Sequence, residues 1–314
     1  MKRPSTAFKK IINKIILFCS FCLGLIYSQT NAALIIDIGT RLDDIRISAD
    51  GSVVTGNVWN NSSSAFRWTA NAGLENLGSL PGMSGARASG VNADGSVVVG
   101  LSGGNTFRWS PTAGMEEMGL NPSGSSSVVV NSVSGDGSIV VGRNFPNAGP
   151  ATAFRWSSSG GLLDLGGLGS RANSSASSVS LDGTKIVGQA FPNAIGMDSR
   201  AWLWTSTGGM QDLGLLPGAS TASAEFISGD GSTVVGVANI GFGNQTFRWT
   251  TESGMQGLLY HGTEVSSSNP SGINGDGSVI IGNSFGSQLG AFIWTQNEGV
   301  QNFQEFLVSK GVVS

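Results

Sequence analysis

Histidine, cysteine and charge are all scarce in this chain. Its 314 residues include one histidine, His261, and two cysteines, Cys19 and Cys22. Both cysteines lie in the first thirty residues. The rest of the chain can therefore hold no disulfide, no thiolate nucleophile and no cysteine metal ligand. A lone histidine also excludes a multi-histidine metal site and a Cys–His pair. His261 sits in Leu259-Tyr260-His261-Gly262 and reads as a loop residue, with a catalytic base as the remote alternative. Serines are abundant, but none occupies a nucleophile-elbow sequence. No catalytic residue, metal site or cofactor is assigned. Charged residues make up only 12% of the chain, so Ser, Asn, Thr and Gly must cover the surface.

Long apolar runs are also missing. Ile15 to Tyr27 is apolar but short for a membrane span. Lys2, Arg3, Lys9, Lys10 and Lys14 precede it, and the small residues of Thr30-Asn31-Ala32-Ala33 follow. This pattern predicts a secretory signal peptide over residues 1–32, cut after Ala32 or Ala33. An uncleaved anchor is the alternative. Cleavage would remove five of the seventeen basic residues and none of the twenty acidic ones, shifting the balance from −3 to −8. So acidic a surface makes a poor nucleic-acid binder, because phosphate contacts need clustered Lys and Arg. The expectation is a secreted, periplasmic or cell-surface protein with no stable membrane insertion after cleavage.

Glycine, in contrast, is plentiful at 48 residues, and the 39% apolar fraction suffices for a core. The glycines recur in a pattern. Ile47 to Gly56 reads ISADGSVVTG, and five relatives begin at Val91, Val133, Val179, Ile227 and Ile273, spaced 44, 42, 46, 48 and 46 residues apart. Asp-Gly between two β-rich runs predicts a hairpin with a type I′ turn. A third strand follows on Phe66-Arg67-Trp68, Phe107-Arg108-Trp109, Phe154-Arg155-Trp156 and Phe247-Arg248-Trp249, with variants Trp202-Leu203-Trp204 and Phe292-Ile293-Trp294. Strand alternation puts both aromatics on one face, where they demand burial. Gly-Met/Leu-x-x-Leu-Gly supplies a fourth strand, as in Gly73 to Gly78 and Gly209 to Gly214.

Four short antiparallel strands per 42 to 48 residues is the spacing of a propeller blade. The predicted fold is all-β, a β-propeller of six four-stranded blades over residues 34–303. The tail, 304–314, reads as a short amphipathic helix. Leu34 to Gly39 matches a fourth strand, whereas the last unit lacks a good one. The N-terminal strand is therefore expected to complete the sixth blade. A larger propeller cut short at the C-terminus and a β-solenoid are the alternatives.

The hairpin, the Phe-Arg-Trp strand and the Gly-Met/Leu strand together resemble the HAF-type extracellular repeat, although no His precedes Ala65-Phe66, Ala153-Phe154 or their counterparts. The resemblance runs from Leu34 to Phe303. It implies a secreted or surface-exposed bacterial protein, of propeller-like fold, which in some members forms an autotransporter passenger. It brings no catalytic residues.

The repeated aspartates, Asp50, Asp94, Asp136, Asp182, Asp230 and Asp276, suggest a cation ring but read better as turn residues capping local N–H groups. Arg67, Arg108, Arg155 and Arg248 read as partners of fourth-strand acids such as Glu75, Glu116 and Asp164. The connections between second and third strands vary most. They carry Trp59, Phe145, Phe191, Phe242 and Phe285, the candidate binding residues, since recognition concentrates on variable loops of a rigid scaffold. The leading reading is a non-enzymatic module binding a protein or glycan. A polysaccharide hydrolase or lyase with carboxylates roughly 5–10 Å apart, and a structural passenger segment, are the alternatives.

Overall fold

The computed structural model describes residues 24–27, 33–36, 42–58, 64–120, 125–192, 198–241, 243–260, 263–264, 267–285 and 289–311. Six four-stranded antiparallel sheets follow one another along the chain. Sheet one comprises Leu42–Ile47, Val53–Val58, Ser64–Thr69 and Gly73–Asn76, and sheet two Ala86–Val91, Val98–Ser102, Asn105–Ser110 and Gly114–Glu117. Sheet three comprises Ser125–Val133, Ile139–Pro146, Thr152–Ser157 and Gly161–Gly166, and sheet four Asn173–Val179, Lys185–Phe191, Arg200–Thr205 and Gly209–Asp212. Sheet five comprises Thr221–Ile227, Thr233–Asn239, Asn244–Thr250 and Gly254–Gly257, and sheet six Ser268–Ile273, Val279–Ser284, Ala291–Thr295 and Gly299–Asn302. Spatial order equals chain order in all six. Each sheet is an up-and-down blade, so the fold is an all-β propeller type with six blades, not a solenoid.

Internal contacts gather the chain into two compact units. The first is residues 1–121 with 135–137, and the second is 122–134 with 138–314. Sheets one and two belong to the first and sheets three to six to the second. In the second unit, the first strands of consecutive sheets adjoin one another.

Alternation decides what is buried. In sheets two, four, five and six the aromatic face of the third strand packs on the preceding sheet of its unit. Phe107 and Trp109 join Ala65, Leu77 and Leu80 of sheet one. Phe247 and Trp249 join Val187, Ala201, Leu203 and Leu213 of sheet four. The central residue of the triplet points the other way, onto the tryptophan of the next sheet. The Arg67 guanidinium carbon lies 5.7 Å from the Trp109 ring and that of Arg248 5.3 Å from the Trp294 ring. Leu203 packs with Trp249 at the same place, which explains why an apolar residue can replace arginine there. Arg67 also reaches Glu75 of its own sheet, at 3.7 Å and on opposite register positions.

Two sequence expectations are corrected, and a third, the short tail helix, is met with its start shifted by one residue. The Asp-Gly hairpins form, but not as type I′ turns. Gly51 donates to the Ser48 carbonyl at 2.9 Å, and Ser48 N–H to the Val53 carbonyl at 2.9 Å. The six turn glycines have φ of 68–76°, while no turn aspartate has positive φ. One left-handed residue suffices because the loop is longer than two residues. The N-terminal strand does not complete sheet six. Gly299–Asn302 is the fourth strand there, with Trp294 opposite Val300. Ala33–Ile36 pairs instead with Gly24–Tyr27; residues 37–39 lie outside the described residues. A three-residue turn, 296–298, keeps Gly299–Asn302 next to its partner, so no distant segment is needed. Thirdly, the tail helix starts at the end of that strand: helix α1 spans Phe303–Ser309, capped by Asn302 and anchored by buried Phe303 and Phe306.

The last glycine of each motif has a packing reason. A Cβ on Gly236 would lie 1.9 Å from the Ser223 carbonyl oxygen and 2.9 Å from the Phe247 ring. Gly209, with φ of 63°, has open space around it. Gly236→Ala is therefore expected to cost about 3 kcal/mol or more through overpacking. Gly209→Ala should cost only about 1–2 kcal/mol, the left-handed backbone penalty. Denaturant midpoints of the two variants check this; equal losses would contradict the close-contact account.

Candidate ligand-binding site

Each blade has two unlike ends. At one, the Asp-Gly turns are fully engaged. Ser52 N–H and Oγ donate to Asp50, and Ser48 Oγ donates to it at 2.6 Å. Hydrogen bonds from the Ser96 hydroxyl and N–H hold the Asp94 carboxyl below its ordinary range, and Ser278 does the same for Asp276. The turns also bond between sheets: Asp50 N–H to the Ala93 carbonyl, Leu181 N–H to that of Gly229, and Asp230 N–H to that of Gly275. Among the described residues, no group of three or more acids, histidines or cysteines is placed to hold a metal. The aspartates thus serve the turns.

The other end holds the 2–3 connections. Here the structure brings two of the five candidate aromatics together. Phe145 lies near the end of its second strand, and Phe191 closes the second strand of the next sheet. Arg143 stands between them, its guanidinium carbon 4.5 Å from the Phe145 ring and 4.7 Å from the Phe191 ring. Phe285 stands apart, 64% exposed just after its strand. Trp59, Phe242 and His261 lie outside the described residues.

The location of Arg143 follows from alternation. It shares a sheet face with Val141 and is opposite Ala153. Val141 and Ala153 pack with Ala176, Ile186, Ala190 and Trp202 in the core between sheets three and four. Arg143 caps the rim of that core. Burial lowers its pKa from the ordinary guanidinium value. Its Nε is buried and bonded to nothing. The same seam continues outwards. Ala151 N–H donates to Asn173 Oδ1 at 3.1 Å, Asn173 is opposite Phe191, and Ala190 is opposite Arg200. Arg171 and Arg200 converge on Asp198, and Arg200 also reaches Asp212 at 3.5 Å.

A second feature escaped the sequence reading. In sheets two to six the first strand carries a β-bulge at equivalent places, between Ala88 and Gly90, Val130 and Ser132, Ala176 and Ser178, Ala224 and Phe226, and Pro270 and Gly272. The bulged residues are Ser89, Asn131, Ser177, Glu225 and Ser271. Asn131 uses the position to donate to the Ala176 carbonyl of the next sheet, at 2.6 Å. Glu225 is the one acid in the row, and burial raises its pKa to about 7. Comparing the aligned repeats would have exposed both Glu225 and Arg143, each an ionisable residue where the other copies are neutral.

No family model and no curated sequence matches the chain. Solved structures do. An oligogalacturonate lyase in complex with manganese is 15% identical, with a TM-score of 0.59 over 90% of this chain and 84% of that one. The oligogalacturonate lyase of Vibrio parahaemolyticus is 12% identical, with a TM-score of 0.60 over 89% and 84%. TolB of Acinetobacter baumannii is 16% identical, with a TM-score of 0.51 over 77% of this chain, and the chain spans 61% of TolB's length. At these identities the likeness shows the propeller fold alone. Among the described residues, no helix is long and apolar enough to cross a membrane.

Glu225 makes stability depend on pH. Its folded pKa is raised, so the folded state holds the proton more tightly than the unfolded one. Its contribution is most favourable below about pH 4.5 and is lost as pH rises through 7. Glu225→Gln is therefore expected to stabilise the protein at pH 8 by up to about 3 kcal/mol relative to wild type, with the difference vanishing near pH 4. Unfolding midpoints of both proteins at the two pH values check this. The turn aspartates titrate alike in both, so only the difference matters.

Proposed function

We propose that this chain is a non-enzymatic glycan-binding module, secreted or displayed at the cell surface, that takes its ligand at the seam between sheets three and four. The observation carrying this reading is the Arg143–Phe145–Phe191 cluster. Its cation is held by aromatic rings and has no carboxylate partner among the described residues. The cluster stands at the blade end where the connections vary, while the other end is locked by its turns. A guanidinium tied only to rings keeps donors for a ligand.

Two other lines support the reading. The oligogalacturonate lyases, enzymes named for a saccharide substrate, match along most of both chains. The signal-peptide pattern and the HAF-type resemblance favour an extracytoplasmic setting. The hydrolase alternative is disfavoured in the second unit, because glycoside hydrolysis needs two carboxylates and Glu225 is the single acid on its first strands.

A glycan array and isothermal titration on the purified chain test this. Phe145→Ala is expected to weaken binding about tenfold, as expected for loss of an anchoring aromatic. Arg87→Gln, which removes only a surface ion pair with Asp44, should leave it unchanged. Retention of full affinity by Phe145→Ala would refute the seam, and binding to proteins but no glycan would refute the ligand class.

A further inference from the structure

Resting on the glycan reading above, we propose that the seam selects an acidic sugar: the carboxylate of a hexuronic-acid residue binds the N–H edge of the Arg143 guanidinium. Arg143 is a partly desolvated cation whose guanidinium, among the described residues, lies against two aromatic rings, at 4.5 and 4.7 Å. Such contacts contribute about 0.5–2 kcal/mol and accept none of the in-plane N–H donors. The residues directly opposite it on the two flanking strands, Val129 and Ala153, offer no side-chain acceptor either. The planar fork matches the two oxygens of a carboxylate, and the match is bidentate.

The surroundings agree in sign. Arg143, Arg171 and Arg200 line one seam against Asp198 and Asp212, and the two outer arginines are already paired. The chain as a whole has a net charge of −3. A local excess of cation on an acidic protein attracts an anion and repels little from its immediate wall. One unpaired guanidinium takes one carboxylate. A hexuronate chain supplies one per ring, whereas acidic peptide motifs present their charges in clusters. The two phenylalanine rings beside Arg143 make its surroundings less polar than water, which strengthens the pair.

The test compares a hexuronate trisaccharide, its methyl ester and a neutral trisaccharide of the same linkage, by titration calorimetry with the unmodified chain. The acid is expected to bind about 10–100-fold more tightly than the ester, the range of one charge-assisted hydrogen-bonded pair. Because only the ligand changes, folding cannot confound this arm. Arg143→Gln should erase the difference between acid and ester, and Arg143→Lys should restore part of it; unfolding midpoints verify that both variants are folded. Equal affinity for acid and ester overturns the acidic-sugar proposal while leaving the glycan reading intact. Equal affinity for a poly-glutamate peptide also overturns it. Failure of all three saccharides overturns both.

Discussion

One glycine in each of five sheets is pinned between a carbonyl oxygen and an aromatic ring, and the rest of the repeat is arranged around that contact. Cβ atoms on Gly100, Gly142, Gly188, Gly236 and Gly282 would fall 2.0, 1.9, 1.9, 1.9 and 2.4 Å from the carbonyl oxygens of Arg87, Val129, Ser175, Ser223 and Asn269. The rings of Phe107, Phe154, Trp202, Phe247 and Phe292 close the other side. Only a residue without Cβ lets the bulged first strand and the aromatic third strand converge on the second. The bulge then throws one first-strand residue out of pairing, while the residue after the glycine emerges at the seam. Glu225 and Arg143 are the two ionisable side chains in those two roles. Both candidate features are consequences of one steric contact.

That contact also explains what could be read from the chain and what could not. Period, strand number and the burial of Phe-x-Trp faces were legible, because each is local: alternation and turn residues act within about ten positions. The hairpin was legible from Asp-Gly, but its turn type was not. The serine or asparagine two residues before each Asp lengthens the loop by closing it with its own side chain, as Ser48 does for Val53 N–H at 2.9 Å. Leu34 to Gly39 looked like a fourth strand because it carries the fourth-strand pattern. A strand pattern specifies a pleated, half-buried segment, not its partner, and Gly299–Asn302 was nearer. The meeting of Phe145 with Phe191 depends on packing between sheets, which no local pattern encodes. Phe285 had the same local signal and stands exposed.

The two blade ends divide the work between them. At the turn end each glycine lies against the preceding sheet: a Cβ on Gly95 would be 2.1 Å from Val53 Cγ2, and one on Gly183 2.7 Å from Ile139 Cγ1. Backbone hydrogen bonds then tie turn to turn. The turn carboxylates there are engaged by neighbouring hydroxyls and N–H groups. At the connection end inter-sheet bonds such as Ser174 N–H to the Ala151 carbonyl and Ala222 N–H to that of Ser199 fix only the bases of the loops. Loops there differ in length from the two glycines 103–104 to the segment 192–199. A rigid end and a variable end on one scaffold is the arrangement in which recognition is separated from stability.

The same logic weighs the ionisable residues against each other. A carboxyl group that burial has raised to about 7 is suited to proton transfer near neutrality, and such groups often mark active sites. Glu225 meets that criterion by itself but lacks company. Its equivalents along the row are three serines and an asparagine, and the asparagine amide is spent on a neighbouring carbonyl. A lone protonated carboxyl among neutral polar groups has no second acid or base to complete a reaction. Its position matches one where Asn131 donates a hydrogen bond, and a neutral carboxylic acid is also a donor. Arg143 is the opposite case: a permanent charge that no pH change removes, two aromatic neighbours, and no carboxylate partner among the described residues. A protein that keeps such a cation uncompensated pays in desolvation, and an anionic ligand at that edge is the group that offsets it.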